Sequence, residues 1–275
     1  KNKRLEAGGQ VLNRSNVTQI STQKPNDTWV ELEDGHRFYG HHIISNIHPA
    51  QTLAILDDTI LKKAYRQRIE GLQNTVGFFN LYIIFKPNSF PYLNRNYYHF
   101  MESDVWSMNQ SSYLWPGYFM FYTGCASQNQ KWADNASVMT YLNYDEVKQW
   151  KGTSKGLRGS DYEEFKQKKV SLLLQSLEQK FPGIGEKIQS FYSATPLTYE
   201  HYISAPQGAA YGIEKDYHNP YKTLILPKTK IPNLYFTGQN LNMHGALGVT
   251  IGAVLTSAEI LGYQYLLDKI KKEIA

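Results

Sequence analysis

Residues 231–262 constrain this chain more than any other stretch. They run a proline-led apolar strand over 233–237 into Gly238, then a loop, then a long helix expected to begin near Gly248. A strand, a glycine turn and a helix start bring free backbone amides and a partial positive charge to one point. Glycine's missing side chain lets a ligand approach the backbone there. Gly252, Ala253, Ser257 and Ala258 give the helix a small-residue face for packing on a sheet or a flat cofactor. The same pattern also serves a purely structural strand-to-helix junction, and it lacks the Gly-x-Gly-x-x-Gly spacing of a pyrophosphate loop. The one Gly-x-Gly, Gly183-Ile184-Gly185, follows a helical pattern and reads as a loop.

Elsewhere the chain alternates short strands with two helical stretches. Strands are expected over 11–20 and 29–33, a polar turn over 23–28, and a hairpin at Asp34-Gly35 returning through 36–39. His42-Ile43-Ile44-Ser45-Asn46 has the apolar density of a strand entering a buried sheet, and His48-Pro49 stops it, because a residue before proline is driven out of the helical region. A helix follows over 50–69, closed by Gly71. Strands over 77–86, 97–101, 118–126 and 137–144 come without long helical crossovers, which predicts an antiparallel sheet. Ser160-Asp161-Tyr162-Glu163 reads as a capping box that opens a helix to about Lys180, with Tyr162, Phe165, Leu173, Leu177 and Phe181 inward.

Composition narrows the class. At 275 residues, 41% hydrophobic and 19% charged, the chain can bury a substantial core and falls outside the disordered range. Its 21 tyrosines suit either a strand-rich core or a surface that is oily on one side and wet on the other. The net charge is +5, but the basic residues are dispersed in short groups such as Lys62, Lys63, Arg66, Arg68 and Lys166, Lys168, Lys169, and no nucleic-acid motif accompanies them, so nucleic acid is set aside. The single Cys125 excludes an internal disulfide framework and fits a reducing, cytoplasmic compartment; no Cys/His spacing suits a metal. Residues 245–262 are long enough to approach a bilayer span, but Thr250, Thr256, Ser257 and Glu259 point to a helix buried in protein.

Leu234-Tyr235-Phe236-Thr237-Gly238-Gln239-Asn240, followed by His244-Gly245-Ala246-Leu247-Gly248, resembles the C-terminal flavin motif of the phytoene desaturase, carotenoid isomerase and retinol saturase group. Thr195-Pro196-Leu197-Thr198 and Pro206-Gln207-Gly208-Ala209-Ala210-Tyr211-Gly212 resemble that group's upstream segments. Gly8-Gly9-Gln10-Val11 with Val17 and Ile20, then Asp34-Gly35 and Ile44-Ser45-Asn46, resemble its return to the flavin domain.

The resemblance implies an α/β fold with an α+β insertion. Residues 1–48 and 231–275 would be parts of a Rossmann-like FAD-binding domain, and 49–230 an antiparallel-sheet substrate domain with helices. FAD would be the cofactor. Gly238, Gln239 and Asn240 would meet its ribityl and pyrophosphate portion, and Gln239 stands where many flavoproteins of the wider class carry an acid. Gly245, Ala246, Leu247, Gly248 and Val249 would run past the isoalloxazine, where helix-end amides stabilise the charge that develops as N5 accepts hydride. Val17 would lie near the adenine. His244, the one titratable side chain in the motif, would bond the flavin, transfer a proton, or simply order the loop. Tyr199, Tyr202 and Tyr211 would line the substrate site or pack in the core.

The implied activity is hydride transfer between FAD and a carbon–carbon bond of a lipophilic polyene or isoprenoid. Such a water-insoluble substrate suggests peripheral membrane contact. An amine oxidase or protoporphyrinogen oxidase on the same architecture, and a non-catalytic lipid- or partner-binding module, stay open beside it, as does the oligomeric state. The Gly-rich loop and the acidic ribose partner are expected before Lys1, and the chain alone is expected to bind FAD weakly or not at all.

Overall fold

The computed structural model describes residues 6, 8–22, 28–56, 61–101, 105, 115–125 and 131–274. Along them run β1 (Val17–Ser21), β2 (Trp29–Leu32), β3 (Arg37–Tyr39), β4 (Ile43–Ser45), α1 (Pro49–Ala54), α2 (Lys63–Glu70), β5 (Gly77–Phe85), β6 (Tyr97–Phe100), β7 (Tyr118–Gly124) and β8 (Asn135–Leu142). They continue with α3 (Ser160–Lys180), β9 (Ile188–Ala194), α4 (Pro196–Ile203), β10 (Leu234–Phe236), α5 (Gly245–Leu261) and α6 (Tyr263–Ile274). Two compact units result. One joins Lys1–Gln73 to Ile213–Ala275, and the other is Asn74–Gly212.

In the first unit β1, β2 and β3 form an antiparallel meander. Its hairpin turns at Asp34-Gly35 as expected, with Gly35 at φ +83° and Asp34 Oδ1 accepting the His36 amide at 3.0 Å. Strand β1 is shorter than expected, since residues 11–16 form no strand. Most of the turn expected over 23–28 lies outside the described residues. β4 and β10 pair in parallel, Leu234 opposite Ile43 and Phe236 opposite Ser45, though 188 residues of chain separate the two strands in sequence. Parallel neighbours require a long crossover. Here that crossover contains the whole second unit.

The helix expected over 50–69 is two helices. Pro49 opens α1, with His48 Nδ1 accepting the Ala50 amide at 3.2 Å, but the backbone leaves the helix after Ala54 to bond β1: the Ile20 amide donates to Ile55 O at 2.8 Å. Residues 57–60 of the expected helix lie outside the described residues. Residues 49–73 and 213–230, expected with the middle sheet, pack instead with the chain ends. The reason is a shared core, in which Leu53, Ile69, Ile213 and Ile225 are buried together with Ile20 and Phe236.

The second unit is a five-stranded antiparallel sheet in the order β6-β7-β8-β5-β9. Four strands fall close to their expected positions; β9 was not expected, because Ile188–Ala194 lacks a clean two-residue alternation. Phe79, Leu81 and Ile83 of β5, Phe119 and Phe121 of β7 and Val138 of β8 bury one face against Leu173 and Leu177 of α3. Each such fully buried side chain contributes roughly 1.5–3 kcal/mol. The capping box expected at Ser160 does not form. Gly159, at φ +95°, is the N-cap, so Ser160 is already helical and its hydroxyl makes no cap bond. The Asp161 carboxylate instead accepts Trp150 Nε1 at 2.7 Å. Among the described residues no helix is long and apolar enough to cross a membrane.

Candidate functional site

The loop between β10 and α5 is built from the strand outward. The ladder to β4 extends one residue past β10, where the Thr237 amide donates to Ser45 O at 3.0 Å. Gly238 then turns the chain at φ +93°, in the region that favours glycine. A Cβ at Gly238 would lie 2.0 Å from Asn46 Oδ1. Leu241 drops its side chain into the core shared with Phe236. Asn240 is buried with it, and its Oδ1 has no hydrogen-bond partner. A buried acceptor without a donor costs roughly 1–3 kcal/mol, so a hydroxyl- or amide-bearing ligand would find a ready contact there.

Helix α5 begins at Gly245, three residues earlier than expected, with His244 as N-cap in extended conformation. Its first turn carries no acidic residue, and the N-cap side chain gives no bond to the first amides. Nothing lies within 4 Å of a Cβ built on Gly245, whose φ is +73°. Ala246 and Leu247 are exposed, Leu247 at 75%, whereas Gly248 is buried so tightly that a Cβ would meet Met243 Cβ at 2.6 Å. Val249 is partly buried. The helix is pinned to the strand by Thr256, whose Oγ1 donates to Phe236 O at 3.0 Å and lies 2.8 Å from Gly252 O. An exposed apolar turn with open backbone at its leading end offers both a surface for a flat ring and amide dipoles for negative charge.

The family described as flavin containing amine oxidoreductase matches residues 3–259. The chain belongs to that family. Its cofactor is FAD. The chain is 34% identical over 151 residues to human all-trans-retinol 13,14-reductase, an alignment covering 52% of the chain and 25% of that protein. It is 22% identical over 261 residues to chloroplastic prolycopene isomerase of Arabidopsis thaliana, covering 93% of the chain and 42% of that protein. The chain thus spans less than half the length of these curated relatives. Among solved structures, wild-type putrescine oxidase bound to putrescine matches with TM-score 0.55 at 12% identity, over 98% of the chain and 51% of that structure. At that identity the likeness speaks for the fold, and the fold is that of the flavin oxidoreductases.

The residues singled out from the sequence fall in three groups. Gly238, Gln239, Asn240, His244 and the start of α5 form the one continuous loop just described. Val17 lies on β1 in the same unit and packs against the core that holds Phe236. The tyrosines belong to the second unit and do not act alike. Tyr199 meets Asn80 of β5 through its hydroxyl, and Tyr211 stands edge-on to Phe78 at 5.5 Å. Burial first, then neighbouring Tyr82 and Tyr141 respectively, raises both phenols above their ordinary range. Tyr202 is 60% exposed under the Lys155 ammonium, 4.7 Å from its ring centre. It joins neither group.

Sequence reading missed the face those two tyrosines share. Phe78 stacks on Tyr141 at 5.5 Å, Tyr141 on Tyr118 at 5.4 Å, and Tyr118 leans on Phe100 at 5.2 Å, one ring per strand across β5, β8, β7 and β6. Burial pushes the Tyr118 hydroxyl up to about 12, so that phenol stays neutral. The signal was present: along β5, β7 and β8 every second residue is Phe78, Asn80, Tyr82; Tyr118, Met120, Tyr122; and Met139, Tyr141. Reading each strand by its two-residue period would have separated this face from the one that packs against α3.

Proposed function

We propose that the protein carrying this chain is an FAD-dependent oxidoreductase acting on carbon–carbon bonds of a lipophilic polyene, such as a retinoid or carotenoid. The first unit would be part of the FAD-binding domain, and the sheet of the second the substrate domain. FAD, when bound, gives or takes the hydride. The observation that carries the reading is the buried, partnerless Asn240 Oδ1 in a loop leading into an open, acid-free helix start. Asn240 and Gln239 would hold hydroxyl and phosphate groups of the cofactor. Gly245 to Val249 would hold its ring, with the α5 dipole favouring negative charge on it. His244 would hold or relay a proton at its imidazole. The aromatic row with Tyr199 and Tyr211 would bind an extended apolar chain by ring contact without presenting a charge. The retinol and prolycopene relatives favour a polyene over an amine. Peripheral membrane contact belongs to this proposal, since α6 exposes Tyr263, Leu267 and Ile274 beside Lys271 and Lys272.

The test is a flavin spectrum of the full-length protein, followed by anaerobic mixing of its oxidised and reduced forms with all-trans-retinol, a C40 carotenoid and a primary amine. Change in the flavin absorbance with a polyene supports the reading. Reduction by the amine alone would turn the assignment toward an amine oxidase, and a protein that takes up no flavin would leave only a binding module.

A further inference from the structure

Lys215 belongs to none of the motifs above, yet its ammonium is tied to the loop that carries them. Nζ donates to Asn240 O at 3.0 Å and to Leu241 O. The side chain is half-buried, and no carboxylate among the described residues pairs with it. It lines a cavity of about 350 Å³ with Glu214, Asp216, His218 and Lys222, while residues 71–73, which also line it, bear no charge. Asp216 is already engaged: its Oδ1 accepts the amides of His218 and Asn219 at 3.0 and 2.9 Å, and its Oδ2 lies 3.9 Å from Lys222 Nζ. The His218 ring lies against Tyr217, tilted by 35° with ring centres 3.8 Å apart. In the loop itself the one titratable group is His244.

Two backbone carbonyls are therefore the partners, among the described residues, of a desolvated cation. A neutral amide would hold the same carbonyls without desolvating a charge. What the ammonium adds is polarity, because a peptide carbonyl bonded to a cation makes the amide of its own peptide group a stronger donor. Those amides belong to Leu241 and Asn242, inside the loop.

We infer that Lys215 is a positioning residue of the flavin loop, whose ammonium fixes Asn240 and Leu241 and raises the loop's affinity for the anionic cofactor. The inference rests on the reading of that loop as the FAD site. Burial holds the ammonium down at about 8, so the group titrates within an accessible range. An anion bound nearby favours the protonated form. Affinity for FAD is then full below about pH 8 and falls as pH rises through the ammonium's titration.

The experiment is FAD binding to the full-length apoprotein, followed by flavin fluorescence between about pH 6.5 and 9.5, for wild type, Lys215→Met and Lys215→Arg. Lys215→Met is expected to bind at least about tenfold more weakly at neutral pH, the scale of one lost charge-assisted hydrogen bond, and to lose the alkaline fall. Lys215→Arg keeps its charge throughout, so it should retain binding and also lose the alkaline fall. Wild-type affinity and pH profile in Lys215→Met would overturn the inference. If that variant does not fold, an alkaline fall persisting in Lys215→Arg overturns it equally. Failure of the wild-type protein to bind FAD at any pH would instead remove the flavin reading itself, and this inference with it.

Discussion

Replacing Gly238 by Ala tests the joint between the β10 strand and the site. At φ +93° an alanine sits in a sparsely populated region, which costs roughly 1–3 kcal/mol. The new methyl also meets Asn46 Oδ1 at 2.0 Å, but Asn46 is exposed and its amide end can swing aside, so the overlap adds less than the backbone strain. The expected loss is about 1–3 kcal/mol, a fall in Tm of several degrees. Gly252→Ala is the matched comparison. That glycine lies inside α5 with nothing within 4 Å of a built Cβ, so alanine there should gain up to about 1 kcal/mol from helix propensity. Urea denaturation of wild type and both variants, read by tryptophan fluorescence and circular dichroism, gives the two differences. Opposite signs are required. A Gly238→Ala protein as stable as wild type would mean that the turn does not hold the conformation described, and the construction of the loop from β10 would fail.

Two further outcomes follow from the same unit. Thr256→Val keeps shape but removes the hydroxyl bond from α5 to Phe236 O, and should lower stability by about 1 kcal/mol with an unchanged denaturant slope; no shift in midpoint would show that the bond does not join helix to strand. The depressed ammonium of Lys215 makes the unfolded chain bind more protons than the folded one between about pH 8 and the ordinary lysine value of 10.5. Its contribution to stability is lost below about 8 and regained as pH rises across that window, so wild type should gain on Lys215→Met from pH 8 to 10.5. Parallel pH–stability curves for the two proteins would count against it.

Local pattern was enough for much of the fold. The Asp34-Gly35 hairpin, the four strands β5 to β8 and the inward face of α3 follow from turn chemistry and side-chain period, which act over a few residues. Where a short-range rule met a long-range bond, the bond prevailed. The single helix expected over 50–69 broke because the backbone at Ile55 bonds Ile20. The Ser160 cap, by contrast, gave way to its own neighbour, Gly159.

The candidate site divides in the same manner. Its strand, glycine and helix were legible in residues 231–262, because backbone geometry there depends on neighbours in sequence. The parallel pairing of β4 with β10, the separate environments of Tyr199, Tyr211 and Tyr202, the four-ring row across the sheet and the Lys215 contact with Asn240 were not. Each depends on residues that meet only after distant segments have folded together, and a one-dimensional pattern does not record which charge or ring closes such a loop.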